Sequence, residues 1–339
     1  MTEKAQKSMT LAAIRVGPLD GRAARGRLTR MAPPHSPRSA LPQTSGDLVA
    51  DRRFAWAEGS RAAKDHEAAA DLYAQTLELA PGFAAAWFGL AESHAALGRA
   101  EAAIAAYARA AELRPDDPFG AGARRALLTN ERAAELSPAF VRELFDQYAP
   151  RFDAHLTETL GYRAPALLRE AILARGARGY ARCLDLGCGT GLSGAALRDL
   201  CGVLVGVDLS PQMVEAARAK AIYDALEADD LLAFLARERE GASDLVVAAD
   251  VFVYLGDLTP VFAAVARALA PGGVFAFTTQ ALAEGDWRLL DDLRFGHSSA
   301  FLASALATAG FDAVAIEPMS ARRDRGADVP GLIALARRC

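Results

Sequence analysis

The apolar positions of this chain follow two rhythms. From Asp47 to about residue 128, alanines and leucines recur at helical spacing. Two segments there match at an offset of 34: Tyr73-Ala74 with Tyr107-Ala108, Glu78 with Glu112, Leu79 with Leu113, and Pro81 with Pro115. "DDPFGAGARRALL" (116–128) predicts one further helix that covers the open end of the stack. Further on, Phe145, Tyr148, Phe152 and Leu156 fall at spacings of three and four, the stripe of an amphipathic helix. From about residue 181 the rhythm changes. "ARCLDL" is a short apolar run that ends in a glycine turn, "LSGAALRDL" is amphipathic, and "VLVGVDLS" is a second run ending on an acid. Strand, glycine turn, helix, strand, acid, helix is the opening of a doubly wound parallel sheet.

Composition narrows the class. The chain has 339 residues, enough for two domains and a large core. Its formal net charge of -4 gives no general affinity for nucleic acid or an anionic membrane. No apolar run reaches the roughly 18 residues that a membrane span needs. The four cysteines (Cys183, Cys188, Cys201, Cys339) form no C-x-x-C and suit no zinc site, so a reduced, cytoplasmic protein is expected, with Cys183 and Cys188 as small packing residues. Residues 1–47 differ from the rest. Eight lysines and arginines face Glu3, Asp20 and Asp47, and Pro33, Pro34, Pro37 and Pro42 break any periodicity. A transit peptide, a disordered tail, and a true start at Met31 all suit this stretch.

The chemistry concentrates at "LDLGCGTGLSG" (184–194). Gly189, Gly191 and Gly194 satisfy G-x-G-x-x-G, a turn that lets a ligand approach the main chain, and Asp208 follows where an acid accepts from ribose hydroxyls. That pattern alone does not separate NAD from S-adenosylmethionine. Asp185, in D-x-G-x-G-x-G, suits a ligand that carries an ammonium and a sulfonium. No lysine follows the glycines, which excludes a phosphate-cradling G-x-x-x-x-G-K-[ST] loop.

Two resemblances follow from these residues. The 34-residue period resembles the tetratricopeptide repeat, with Trp87, Leu90, Ala91, Gly98, Ala103, Tyr107, Ala110 and Pro115 fitting its pattern. The first copy is weaker, with Arg53 and Trp56 where Trp87 and Leu90 fall in the second. "CLDLGCGTGLSG", "LVGVDLSPQMVEAAR", "SDLVVAADVFVYLGDL" and "LAPGGVFAFTTQ" resemble successive motifs of class I S-adenosylmethionine-dependent methyltransferases. The combination is similar to bacterial repeat-containing methyltransferases. The fold expected is α/β: a Rossmann-like seven-stranded sheet with its last strand antiparallel, preceded by an all-α tetratricopeptide-repeat domain. The expected boundaries are a tail at 1–47, repeats at 48–128, and a methyltransferase domain at 135–339, with a helical cap at 135–180 and the catalytic sheet at 181–339. Strands five to seven are expected at "VFAFTT", "FDAVAIEP" and "GLIALARR".

The resemblance also implies roles. S-adenosyl-L-methionine is the implied cofactor, and no metal is implied. The backbone at Gly187 and Gly189, with Asp185 behind it, would hold its methionine end, and Cys188 and Gly191 of the same loop would also be cofactor-binding. Asp208 would hold the ribose, Leu209 and Met213 the adenine, and Asp230 (or Asp229) the adenine amino group. Asp250 would face the methyl group. The Phe-Asp-x-x-Ala stretch of the cap would close over the site, with Tyr148 and Tyr162 touching cofactor or substrate. Candidate bases are His297, in "RFGHSSAF", and His155, in the cap; "HSS" could instead only start a helix capped by Ser298. Arg294 could bind a carboxylate or phosphate, or lie on the surface. Relatives carry Tyr at Phe301. The expected activity is methyl transfer to an unidentified small-molecule or protein acceptor, with the repeats docking substrate or a protein partner, or else serving as a spacer. A cofactor-sensing scaffold and an NAD-dependent oxidoreductase are the alternatives. No nucleic acid or membrane partner is expected.

Overall fold

The computed structural model describes residues 44–339 apart from 134, 177, 178 and 325, so most of the expected basic tail lies outside the described residues. The first five helices are α1 (Leu48–Ala62), α2 (His66–Leu79), α3 (Ala84–Ala96), α4 (Ala100–Leu113) and α5 (Ala121–Thr129). They pair as two antiparallel hairpins and a closing helix, as the period predicts. The symmetry reaches side chains that the sequence comparison had not matched. Tyr73 donates to Glu58, and 34 residues on Tyr107 donates to Glu92. Phe54 meets Tyr73 at 5.8 Å between centroids, and Phe88 meets Tyr107 at 5.9 Å. The mismatch at Trp56 has a physical reason. Leu90 is 9% exposed because the first hairpin covers it, whereas Trp56 is 58% exposed, with no described hairpin before it.

The two polar couples are completed differently. Arg61, from its own helix, closes the first at 2.8 Å from Glu58. In the second, Ala95 stands where Arg61 would fall, and the guanidinium comes from Arg124 on α5, 2.9 Å from Glu92. Arg124 also donates to the Phe119 and Gly120 carbonyls and stacks over both Phe88 and Phe140. Phe140 belongs to α6 (Pro138–Tyr148), the first cap helix, started by Ser137 and Pro138. A short helix, α7 (Phe152–Ala154), a single π-helical turn at His155–Thr159 and α8 (Ala164–Ala174) complete the cap.

The sheet strands are β1 (Tyr180–Leu186), β2 (Cys201–Asp208), β3 (Ala225–Ala228), β4 (Ser243–Ala248), β5 (Leu269–Ala281), β6 (Trp287–Leu289), β7 (Phe295–His297), β8 (Phe311–Met319), β9 (Arg323–Asp324), β10 (Ala327–Asp328) and β11 (Gly331–Arg338). Between them run α9 (Leu192–Leu197), α10 (Pro211–Ala219), α11 (Leu231–Arg237), α12 (Thr259–Ala268) and α13 (Ser299–Thr308). The main path is β3-β2-β1-β4-β5-β11-β8, parallel as far as β5, with β11 antiparallel to both neighbours. Strands five to seven of the sequence reading are β5, β8 and β11. Alternate residues serve opposite faces. Leu184, Leu186, Val246, Phe275 and Phe277 pack with α11 to α13, while Cys183, Leu245, Val247 and Ala276 pack with α8 and α9.

Two additions were not foreseen. A β6–β7 hairpin extends the sheet beside β5, and a small β9–β10 pair lies between β8 and β11. The hairpin anchors the helical region. Ala123, Leu136, Phe140, Leu289, Leu293 and Phe295 form one buried cluster from α5, the cap and the hairpin, and Arg132 lies 3.9 Å over the Trp287 ring. Two hairpins alone make a small core, and this cluster extends it. No helix among the described residues is long and apolar enough to cross a membrane.

Arg124 therefore joins the repeats to the cap. Arg124→Ala should cost about 3 kcal/mol in equilibrium denaturation, because the largely buried Glu92 loses its counter-charge and keeps only the bond from Tyr107. The double variant with Glu92→Ala should lose less than the two single losses added together. An additive double variant would mean that the pair carries no coupling.

Candidate functional site

The carboxyl ends of β1, β2 and β4 face a cavity of about 730 Å³, roofed by the cap and bordered by the β6–β7 turn and the β9–β10 pair. Its size suits a small-molecule site.

The turn after β1 is shaped by sterics. Gly187 has φ +63°, and a Cβ there would stand 2.4 Å from a Val251 methyl. Gly189 has φ +54° and is open: a Cβ would meet only the Phe152 ring, at 3.7 Å. Gly194, the last glycine of the dinucleotide pattern, answers to the protein itself, since a Cβ there would lie 2.3 Å from the Tyr223 hydroxyl.

Two buried carboxylates stand behind and beside this turn. Asp208 Oδ2 accepts from the Gly189 amide at 2.9 Å, and Oδ1 accepts from the Ser210 amide at 2.9 Å. Asp185 Oδ2 accepts from Tyr223 at 2.6 Å, while Oδ1 is buried with no hydrogen-bond partner among the described residues. Burial, with Asp208 nearby, pushes the Asp185 carboxyl up to about 7 against the bond from Tyr223. Burial likewise raises Asp208 to about 6 against its two amide bonds.

The cap is latched to the core by acids that the sequence reading passed over. Asp146 accepts from the Ser210 hydroxyl at 2.5 Å, and Asp153 accepts from Thr190 and pairs with Lys220 at 2.6 Å. Both sit in "FD" pairs seven residues apart, and this doubled dipeptide was the available signal. Phe145 meets Tyr254 edge-on at 5.3 Å. Tyr148 and His155 hydrogen-bond to one another at the cavity wall.

The expected residues divide into two groups. Gly187, Gly189, Asp208, Leu209, Asp230, Asp250, Tyr148, His155 and Tyr162 line the cavity. Asp230 also caps α11 through Oδ1, whereas Asp229 is held by Arg237 at 2.6 Å. Asp250 adopts φ +56° and is fixed by Thr278 at 3.0 Å and Arg322 at 2.9 Å. Asp185, Cys188, Gly191 and Met213 are not among the lining residues. Cys188 is buried, Gly191 caps α9 beneath Tyr223, and Met213 is buried on α10.

His297 is a correction. It lies in β7, fully buried and away from the cavity lining. Its Nε2 lies 2.9 Å from the Gly256 carbonyl and so carries the proton, and its Nδ1 accepts from Thr279 at 2.7 Å. Burial depresses its pKa to about 4, and no lone pair is left for a substrate. Ser298 caps α13, as the alternative reading of "HSS" has it. Arg294, by contrast, faces the cavity.

Comparison with known proteins agrees with this architecture. Residues 184–275 match a family model described as a methyltransferase domain, and residues 60–127 match one described as a tetratricopeptide repeat. The ubiquinone biosynthesis O-methyltransferase of Xanthomonas oryzae pv. oryzae is 32% identical over 102 residues, 29% of this chain and 43% of that protein. Its counterpart in Xanthomonas campestris pv. campestris is 32% identical over 111 residues, 32% of this chain and 46% of that protein. The match thus spans less than half the length of these relatives. Among solved structures, the [4+2]-cyclase SpnF aligns with a TM-score of 0.49 at 20% identity, covering 61% of this chain and 97% of that one. The N-methyltransferase NodS from Bradyrhizobium japonicum, in complex with S-adenosylhomocysteine, aligns with a TM-score of 0.40 at 22% identity, covering 51% and 85%.

The raised carboxyls set a pH dependence. Between the ordinary carboxyl range and about 7, the folded ligand-free protein holds protons at Asp185 and Asp208 that the unfolded chain has lost. Their contribution to stability is therefore greatest below about pH 4 and falls as pH rises to about 7. Asp185→Asn should flatten the fall in Tm between about pH 5 and about pH 8, measured by differential scanning fluorimetry. An unchanged slope would mean that Asp185 ionises as freely folded as unfolded.

Proposed function

We propose that this chain, which carries a class I S-adenosylmethionine-dependent methyltransferase domain behind tetratricopeptide repeats, transfers a methyl group to a small acceptor bound beneath its cap. The observation that carries the proposal is the Asp208 carboxylate. It bonds to the Gly189 amide and opens onto a capped cavity at the ends of β1 and β2. The residues fit S-adenosylmethionine. An open Gly189 gives close approach to the backbone, the Asp208 carboxylate offers acceptors to ribose hydroxyls, and Leu209, Leu231 and Leu232 beside Asp230 suit an adenine. The orphan Oδ1 of Asp185 behind the turn adds negative potential, which suits a ligand with two cationic centres.

When bound, S-adenosylmethionine supplies an electrophilic methyl group on a cationic sulfur. The chain's part is alignment, exclusion of water and management of a proton. Asp146 and Asp153 hold the cap down, and Phe145, Phe152 and Tyr254 keep the chamber apolar. Where the acceptor must lose a proton, the Tyr148–His155 pair at the wall is suited to take it. The ubiquinone pathway enzymes methylate oxygen by name, and an oxygen acceptor is the favoured reading here. Adjacent repeats and a cap sharing Arg124 suit a protein partner that acts on the same chamber.

Calorimetry should show binding of S-adenosylmethionine and S-adenosylhomocysteine and none of NAD; tight NAD binding would overturn the assignment. Gly189→Val should abolish that binding, because the branched side chain enters the ligand's space beside Phe152 at a positive φ. Affinity should rise with pH from about 5.5 to about 8, as Asp185 and Asp208 ionise and attract the cation. Labelled-methyl transfer into a fractionated cell extract should fall about a hundredfold in Tyr148→Phe, with cofactor affinity unchanged. A full rate in that variant would remove the pair from the mechanism.

A further inference from the structure

The half of the cavity away from the glycine turn has a chemistry that the cofactor does not use. Its walls are apolar, from Leu136, Val141, Phe145 and Leu293, with the Tyr254 ring between them. Two guanidinium groups face it from the sheet side. That of Arg322 is committed to Asp250 at 2.9 Å and to Gln280 at 3.2 Å. That of Arg294 is not neutralised in the same way. Its nearest carboxylate, Asp292, stands 4.0 Å off and accepts from Gln280 through the same oxygen. Burial works against its charge, and Tyr254, Asp292 and Asp250 together hold the proton on it. A half-buried cation in a largely apolar chamber, bonded to Tyr254 and with its nearest carboxylate only at 4.0 Å, has donors to spare for an anion.

We propose that the acceptor is a largely apolar small molecule with an anionic head, carboxylate or phosphate monoester, and that Arg294 binds this head. This rests on the methyltransferase reading and names the class of its second substrate. The planar fork of Arg294 offers parallel donors to either oxyanion, and Asp292 yields because its bond to Gln280 already holds it aside. Leu136, Val141 and Phe145 then cover the apolar body, with the head at the end of the cavity bordered by the β6–β7 turn. A neutral analogue would leave the buried guanidinium facing an uncharged group, which is the costly kind of mismatch.

The test uses the full chain and fluorescence titration with dansylundecanoic acid, its methyl ester and the matching alkyl phosphate monoester, with and without S-adenosylhomocysteine. One or both charged heads should bind at least about tenfold tighter than the ester, and the tighter of the two identifies the head. In Arg294→Gln that preference should shrink to within about twofold, and Arg294→Lys should keep part of it. Affinity for S-adenosylhomocysteine, measured separately by calorimetry, should be the same in all three proteins. Wild-type binding of both charged heads no tighter than the ester, no binding of any of the probes, or a preference that survives Arg294→Gln overturns the proposal. The wild-type comparison decides alone if Arg294→Gln does not fold. Failure of the cofactor reading shows instead as absent S-adenosylhomocysteine binding, whatever the probes do.

Discussion

The site hangs on the carboxylate of Asp208. It accepts from the glycine turn at Gly189 and from the next loop at Ser210, whose hydroxyl in turn donates to Asp146 of the cap. Three segments far apart in sequence are thus joined through three side chains and two backbone amides. The arrangement has a cost, because burial raises the pKa of Asp208 and a second acid, Asp185, lies close behind it. Two carboxyls of raised pKa beside an open glycine make a chamber that favours a cation, and a bound cation relieves the strain of keeping them charged.

A second constraint ties the helices to the sheet. The 34-residue period repeats Glu58 and Tyr73 as Glu92 and Tyr107, but not Arg61. The second couple takes its cation from α5, and that cation stacks on Phe140 of the cap. The last repeat is therefore finished by a residue that also borders the cavity. The cluster of α5, the cap and the β6–β7 hairpin packs the helix that closes the repeats against the sheet domain.

What the sequence made legible follows from periodicity. The helical hairpins and the opening parallel strands leave short-range patterns, and so do a glycine turn and an acid at a strand's end; the antiparallel direction of the last strand came from the family resemblance. Gly189 and Asp208 were singled out on those grounds, Gly187, Asp230 and Asp250 through the family resemblance, and all five border one cavity. His297 was misjudged because position after a strand says nothing about which way an imidazole faces. Its partners, Thr279 and Gly256, lie 18 and 41 residues away. Tyr223 was missed for the same reason: it acts on Asp185 and Gly194 from across the β2–β3 connection, and no local pattern announces that.

The division between legible and illegible residues has a physical origin. The glycine-turn half of the chamber is made by backbone, by glycines and by acids at strand ends, whose positions the sheet dictates. The other half is made by elements added to the sheet: the cap, the β6–β7 hairpin, the connection that carries Arg322, and α5 of the repeats. Such additions can change without disturbing the core, and added elements on a shared fold are where binding specificity is commonly built. Arg294 sits on the hairpin that also anchors the repeats through Leu289, Leu293 and Phe295. The helical hairpins are thus packed, through α5 and the cap, against the hairpin that carries Arg294, while the glycine turn is joined to the same cap through Asp208, Ser210 and Asp146.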